Sequence, residues 1–196
     1  LIIGYPTAYF LAGKDFSENK MLVVLILLPM WMNLLIRTYS WMALLEDTGI
    51  INSLLGSIGI DPVHMINTSG AVILGMVYNY LPYMIIPLHS VMSKIDPRLL
   101  EAASDLGSSP FKVITGVVVP LSMSGIISGV TMVFVPSIST FYISQKLGGG
   151  NFDLIGDTIE RQFQTAYNYN LGAAMSLVLM IIIMVSMAIM NKYSGE

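Results

Sequence analysis

The chain contains no cysteine. Disulfides and thiolate zinc sites are therefore excluded, and no redox chemistry can rest on a thiol. Charge is scarce as well: 11% of the 196 residues are Asp, Glu, Lys or Arg, where a soluble domain carries about 25%. The two histidines, His64 and His89, lie far apart with no carboxylate at ligand spacing, so they read as surface or packing residues rather than a metal site. No GxxxxGK[ST] motif occurs, which excludes nucleotide binding through a P-loop. No nucleic-acid partner and no bound cofactor are expected. What remains is apolar: 55% of the residues are hydrophobic, and a chain so poor in charge and so rich in apolar side chains belongs in a lipid bilayer. Fifteen methionines in such a chain serve as packing.

Taken in order, residues 1–12 are apolar but too few to cross about 30 Å of hydrocarbon. We read them as the end of a truncated span and not as a signal peptide, since no basic segment precedes them. Residues 13–20 form a short charged turn. Full spans are predicted at 21–45, 71–92, 121–143 and 171–190. Between them lie a polar loop at 46–70, a longer connection at 144–170 and a polar tail at 191–196. The glycine run at 148–150 lacks a strand–helix context and reads as a flexible loop. The expected fold is all-α: one transmembrane domain over 1–196, with four complete spans and one truncated. The basic residues set the orientation. Lys14, Lys20, Lys94, Arg98, Lys112 and Lys192 fall on one side, which is predicted to be the cytoplasm. The 46–70 loop has no Lys or Arg, and the 144–170 connection has only Lys146 and Arg161; both are predicted to lie outside.

Residues 96–120, DPRLLEAASDLGSSPFKVITGVVVP, lie between two spans and organise the rest. Asp96 supplies a capping acceptor, and Pro97 stands where its missing N–H costs nothing. Leu99, Ala102, Ala103 and Leu106 recur at helical spacing. Gly107 then offers a stop able to take positive φ. Ser109 and Pro110 start a second short helix, predicted over 111–119. A ten-residue helix is about 15 Å long. That is too short and too polar to span a bilayer, but suited to docking at the cytoplasmic surface.

Within the spans, Arg37 is the one formal charge set deep in an apolar segment. Such a charge faces a cavity or a partner, or else snorkels to the interface. Pro29, Pro82, Pro87 and Pro136 bend their helices and free carbonyls. Tyr78, Tyr80 and Tyr83 crowd one span beside Pro82. They serve either as part of an interfacial belt or as an aromatic lining for a cation. Asp153, Asp157 and Glu160 gather in the outer connection, where they would raise the local cation concentration. A respiratory proton-pump subunit would need Lys, Glu or His relays within its spans, and this chain offers Arg37 alone.

Glu101-Ala102-Ala103, then Gly107, then Val117-x-Val119-Pro120 resemble the EAA signature of ABC-importer permeases, with Val in place of Ile and Leu near its end. A secondary transporter has no reason to carry that segment. GYPTAYFLA at 4–12, LPMWMNLLIRTYSW at 28–41, YNYLPYMIIPL at 78–88 and the LGG…LIGDTI…QF run at 147–163 are similar to the PotB-type spermidine/putrescine permeases. The resemblance covers nearly the whole chain. It implies a type I ABC importer transmembrane domain with six spans at full length, in a bacterial plasma membrane. The partners it implies are an ATPase dimer that binds the ATP, a second permease subunit and an extracytoplasmic binding protein. It makes Leu99, Glu101, Ala102, Ala103, Leu106 and Gly107 the residues that couple to the ATPase. Arg37, Tyr78, Tyr80, Tyr83 and Pro82 are the expected path residues. Import of another small solute, whether a cation, an amino acid or an anion, is the alternative.

Overall fold

The computed structural model describes residues 1–13 and 20–193. Most of the predicted charged turn, and residues 194–196 of the predicted tail, lie outside the described residues. All regular structure among the described residues is helical. The helices are α1 Gly4–Ala12, α2 Lys20–Leu27, α3 Leu34–Leu45, α4 Ile50–Ser57 and α5 Ser69–Met92, followed by α6 Pro97–Asp105, α7 Pro110–Leu121 and α8 Met123–Ser139. Short helices α9 Tyr142–Gly148 and α10 Ile155–Gln164 precede the last, α11 Tyr169–Tyr193. Among the described residues two helices are long and apolar enough to cross a membrane, Ser69–Met92 and Tyr169–Met190. Counting each of two bent helix pairs as one span brings the number to four.

Four stretches depart from expectation. The span at 21–45 is broken: Leu28–Trp31 is a 3₁₀ turn around Pro29, and the Asn33 side chain caps a new helix by accepting from the Leu35 N–H at 2.8 Å. The span at 121–143 ends early, at Ser139. The loop at 46–70 is folded around buried Asn52. Its amide donates to the carbonyls of Glu46 at 3.2 Å and Val63 at 2.9 Å, and its oxygen accepts from the Val63 N–H at 2.8 Å. The connection at 144–170 carries α9 and α10, and its glycines make a built turn rather than a free loop. Gly149 and Gly150 sit at φ +58° and +78°, and a Cβ on Gly149 would fall 2.2 Å from Asn67 Oδ1. Short polar segments hold helices where side chains satisfy their ends, which hydrophobic periodicity does not report.

The chain forms two compact units. One comprises Leu1–Leu27, Leu81–Phe134 and Met184–Glu196. Its core is a stripe of Met84, Ile85, Leu88 and Met92 on α5, packed with Ala8 and Leu11 of α1 and Val118 of α7. In lipid such packing is held by close van der Waals contact, which favours small residues at helix crossings. Gly125 and Gly129 supply them: a Cβ at Gly125 would meet the Pro87 carbonyl at 3.0 Å, and one at Gly129 would meet Met84 Sδ at 2.8 Å. In this unit α7 contains a π-helical stretch, Ile114–Val118. Pro120 lacks an N–H and its ring crowds the carbonyl four residues back. The helix widens instead, and the Val119 N–H bonds to Ile114.

The other unit comprises Leu28–Tyr80 and Val135–Ile183. Leu45, Ile66, Ala71, Val72, Ile143 and Leu147 form its core. Gly75 lets α9 lie close to α5, since a Cβ there would fall 2.3 Å from Leu147 Cδ1.

Candidate functional site

The segment at 96–120 folds as its residues dictate. Asp96 accepts from the Arg98 N–H at 2.9 Å, Pro97 opens α6, and Gly107 takes φ +81°. The Gly107 N–H donates to the Ser104 carbonyl at 2.9 Å and the Ser108 N–H to the Ala103 carbonyl at 3.2 Å. This is a Schellman closure, which requires left-handed backbone at the glycine. Leu100 packs against the core of its unit and Ala103 is half-buried. Leu99, Glu101, Ala102 and Leu106 are exposed, with Leu106 88% accessible. The four small and apolar residues expected on one face thus divide, and three of them face outward from the unit. Phe111, at the start of α7, is exposed as well. An exposed apolar face closed by a rigid turn is a docking surface in shape. Behind it lies an apolar pocket of about 720 Å³, lined in part by Tyr5, Tyr9, Ile95 and Leu100.

Arg37 does not snorkel. It is 7% exposed, and its Nε and Nη1 have no hydrogen-bond partner among the described residues. A buried charge left so is costly, and the arrangement calls for an acceptor from elsewhere. Pro82 is buried, and the three tyrosines are half-buried. Tyr78 and Tyr80 belong to one unit and Tyr83 to the other. Tyr78 meets Trp41 edge-on at 5.2 Å, and the Tyr80 hydroxyl donates to the Pro136 carbonyl at 3.2 Å. His64 sits at the surface, with Nδ1 2.9 Å from Asp47 Oδ1, and His89 Nε2 lies 3.3 Å from Ser93 Oγ.

Two arrangements escaped sequence reasoning. The Lys146 ammonium stands 5.8 and 5.9 Å from the ring centres of Tyr39 and Tyr142, which touch edge-on. An ammonium over aromatic faces is a cation–π contact, and here the chain supplies its own. Asp157, expected as an exposed member of an acidic loop, is buried. Its Oδ2 caps α10 by accepting from the Leu154 N–H at 2.6 Å. Asp153 pairs with Arg161, and the Gln145 amide donates to Glu160 at 2.9 Å. Asp153, followed by Asp157 and Glu160, holds the Arg161 guanidinium above its ordinary pKa. The helical period that could have revealed Asp157's inward position was obscured because the segment reads as loop.

Residues 4–194 match the family described as binding-protein-dependent transport system inner membrane component. The chain belongs to this family. It is a multi-pass inner-membrane protein. The chain is 41% identical over 184 residues to the spermidine/putrescine transport system permease protein PotB of Haemophilus influenzae, covering 93% of this chain and 64% of that protein. It is 40% identical to PotB of Escherichia coli, over 93% of this chain and 67% of that one. The chain therefore spans about two-thirds of the length of these relatives. A bacterial alginate ABC transporter, solved with its pentasaccharide-bound periplasmic protein, shares the fold with a TM-score of 0.77 at 18% identity, over 98% of this chain and 72% of that one.

Proposed function

We propose that the permease forms the translocation path of an ATP-driven polyamine importer and carries no catalytic chemistry of its own. The observation that carries the reading is the 41% identity, over 93% of the chain, to a permease named for spermidine and putrescine. The partners are an ATPase dimer, which binds the ATP, a second permease subunit and an extracytoplasmic binding protein. The exposed face of Leu99, Ala102 and Leu106, with Glu101 and the Gly107 turn, seats in the ATPase on the cytoplasmic side. ATP-driven closure of the ATPase dimer moves α6, and the helices bent at their prolines transmit that motion to the path.

Spermidine is a flexible multivalent cation, so its path must attract without trapping. Each contact of an ammonium with a tyrosine face, at Tyr78, Tyr80 or Tyr83 near Pro82, supplies about 0.5–2 kcal/mol, weak enough for release. Arg37 meets a carboxylate of the second permease subunit, which removes its repulsion of the cargo. The test is uptake of labelled spermidine by the full-length permease reconstituted with its three partners. ATP-dependent uptake is expected. Uptake of an anion or a neutral sugar in its place overturns the assignment. Tyr83→Leu is expected to lower uptake about 2- to 30-fold while Tyr83→Phe keeps it; equal loss in both removes the aromatic lining.

A further inference from the structure

We propose that the pocket at α10 is a binding subsite for the ammonium groups of an organic polycation, with Asp157 as its buried acceptor. The proposal rests on the polyamine reading above and assigns a place to the cargo.

The pocket has a volume of about 460 Å³ and is lined by Asp153, Asp157, Glu160 and Arg161, with Gln145 and Gln164 among its remaining walls. Three carboxylates thus face one guanidinium. Asp157 is only 2% exposed, and although its Oδ2 is used by the Leu154 N–H, its Oδ1 has no hydrogen-bond partner among the described residues. A buried carboxylate oxygen without a donor is costly, and native structures rarely leave one so. Two of the neighbouring donors are engaged elsewhere: Arg161 is paired with Asp153, and the Gln145 amide donates to Glu160. No side chain of the pocket wall donates to Asp157 Oδ1, which leaves that oxygen open to a donor from outside.

An ammonium group fits what is missing. It carries three N–H donors and one positive charge on a flexible chain. Asp157 Oδ1 is closed to solvent in this structure, so one such group reaches it as the pocket wall gives way at Arg161, while the next meets Glu160 or Asp153. Water would satisfy the oxygen but leave the excess negative charge uncompensated. A compact metal ion would need the carboxylates to converge, and among the described residues no group of three or more His, Cys, Asp or Glu is arranged to hold one. Arg161 then acts as an internal competitor for Asp153. An arriving polycation displaces it and is in turn displaced, so that cargo is held briefly and passed on.

The test is equilibrium binding of radiolabelled putrescine to the complete transporter in nanodiscs with the binding protein omitted. Asp157→Asn keeps an acceptor for the Leu154 N–H and is expected to weaken binding about tenfold. Glu160→Gln is expected to weaken it about threefold and Arg161→Gln to strengthen it about threefold. A merely structural role for Arg161 would not tighten binding. Unchanged affinity in Asp157→Asn, or weakened affinity in Arg161→Gln, overturns the subsite. If Asp157→Asn fails to assemble, the other two variants decide, and unchanged binding in both overturns it. A wild-type transporter that imports no polyamine refutes the functional reading. One that imports spermidine with the same KM in wild type and Asp157→Asn refutes the subsite alone.

Discussion

Gly156 lies directly against the backbone of Thr140: a Cβ at position 156 would fall 2.4 Å from the Thr140 carbonyl oxygen and 3.0 Å from that of Ser139. This contact seats the first turn of α10, and with it Asp157, against the end of α8. Backbone cannot swing aside as a side chain can. Gly156→Ala is therefore expected to destabilise the protein by about 1–3 kcal/mol. Gly56→Ala, in α4 with open space around it, is expected to be neutral or to stabilise by about 0.5–1 kcal/mol. Thermal unfolding of the two variants in detergent checks the pair; equal melting temperatures would contradict the close approach.

Topology can be read by labelling. The chain has no cysteine, and Ser57 and Ser109 are both exposed. With a single cysteine at each position of an otherwise cysteine-free full-length protein, an impermeant maleimide applied outside the inner membrane is expected to reach position 57 only. Labelling at 109 under those conditions would invert the orientation and remove the docking role of α6.

Coupling should fail without loss of fold. Leu106 is almost fully exposed, so Leu106→Asp removes little internal packing but places a charge in the face proposed to dock. Gly107→Val forces a β-branched side chain into left-handed backbone at a cost of about 1–2 kcal/mol. Both variants are expected to abolish binding-protein-stimulated ATPase activity while the binding protein still holds its ligand. Normal stimulation in Leu106→Asp would show that this face is not the docking surface.

Arg37 gives a prediction in two directions. Removing a buried charge that lacks partners stabilises an isolated chain by about 1–4 kcal/mol when the replacement packs well. Arg37→Met is accordingly expected to raise the melting temperature of the isolated permease and to lower its co-purification with the second permease subunit. Unchanged co-purification would place the acceptor for Arg37 somewhere other than that subunit.

The caps, the turn and the periodicity of α6 were legible in the sequence because they are local. Asp96, Pro97 and Gly107 act on backbone groups within five residues, so their types and spacing determine the helix and its stop. The apolar composition likewise determined membrane residence, and the segment from Glu101 to Pro120 determined the family. The break within 21–45 is local as well, since Pro29 and the Asn33 cap act on neighbouring backbone, but the apolar run around them reads as one span. Tertiary structure decided the rest. Which polar atoms are left without partners among the described residues, the donors of Arg37 and the Oδ1 acceptor of Asp157, and which glycines admit a neighbouring helix, depended on contacts between segments distant in the chain. Asp157 reads on paper as one more acid in a solvated loop. It is buried because Gly156 admits the backbone of Thr140, and no local pattern encodes that approach.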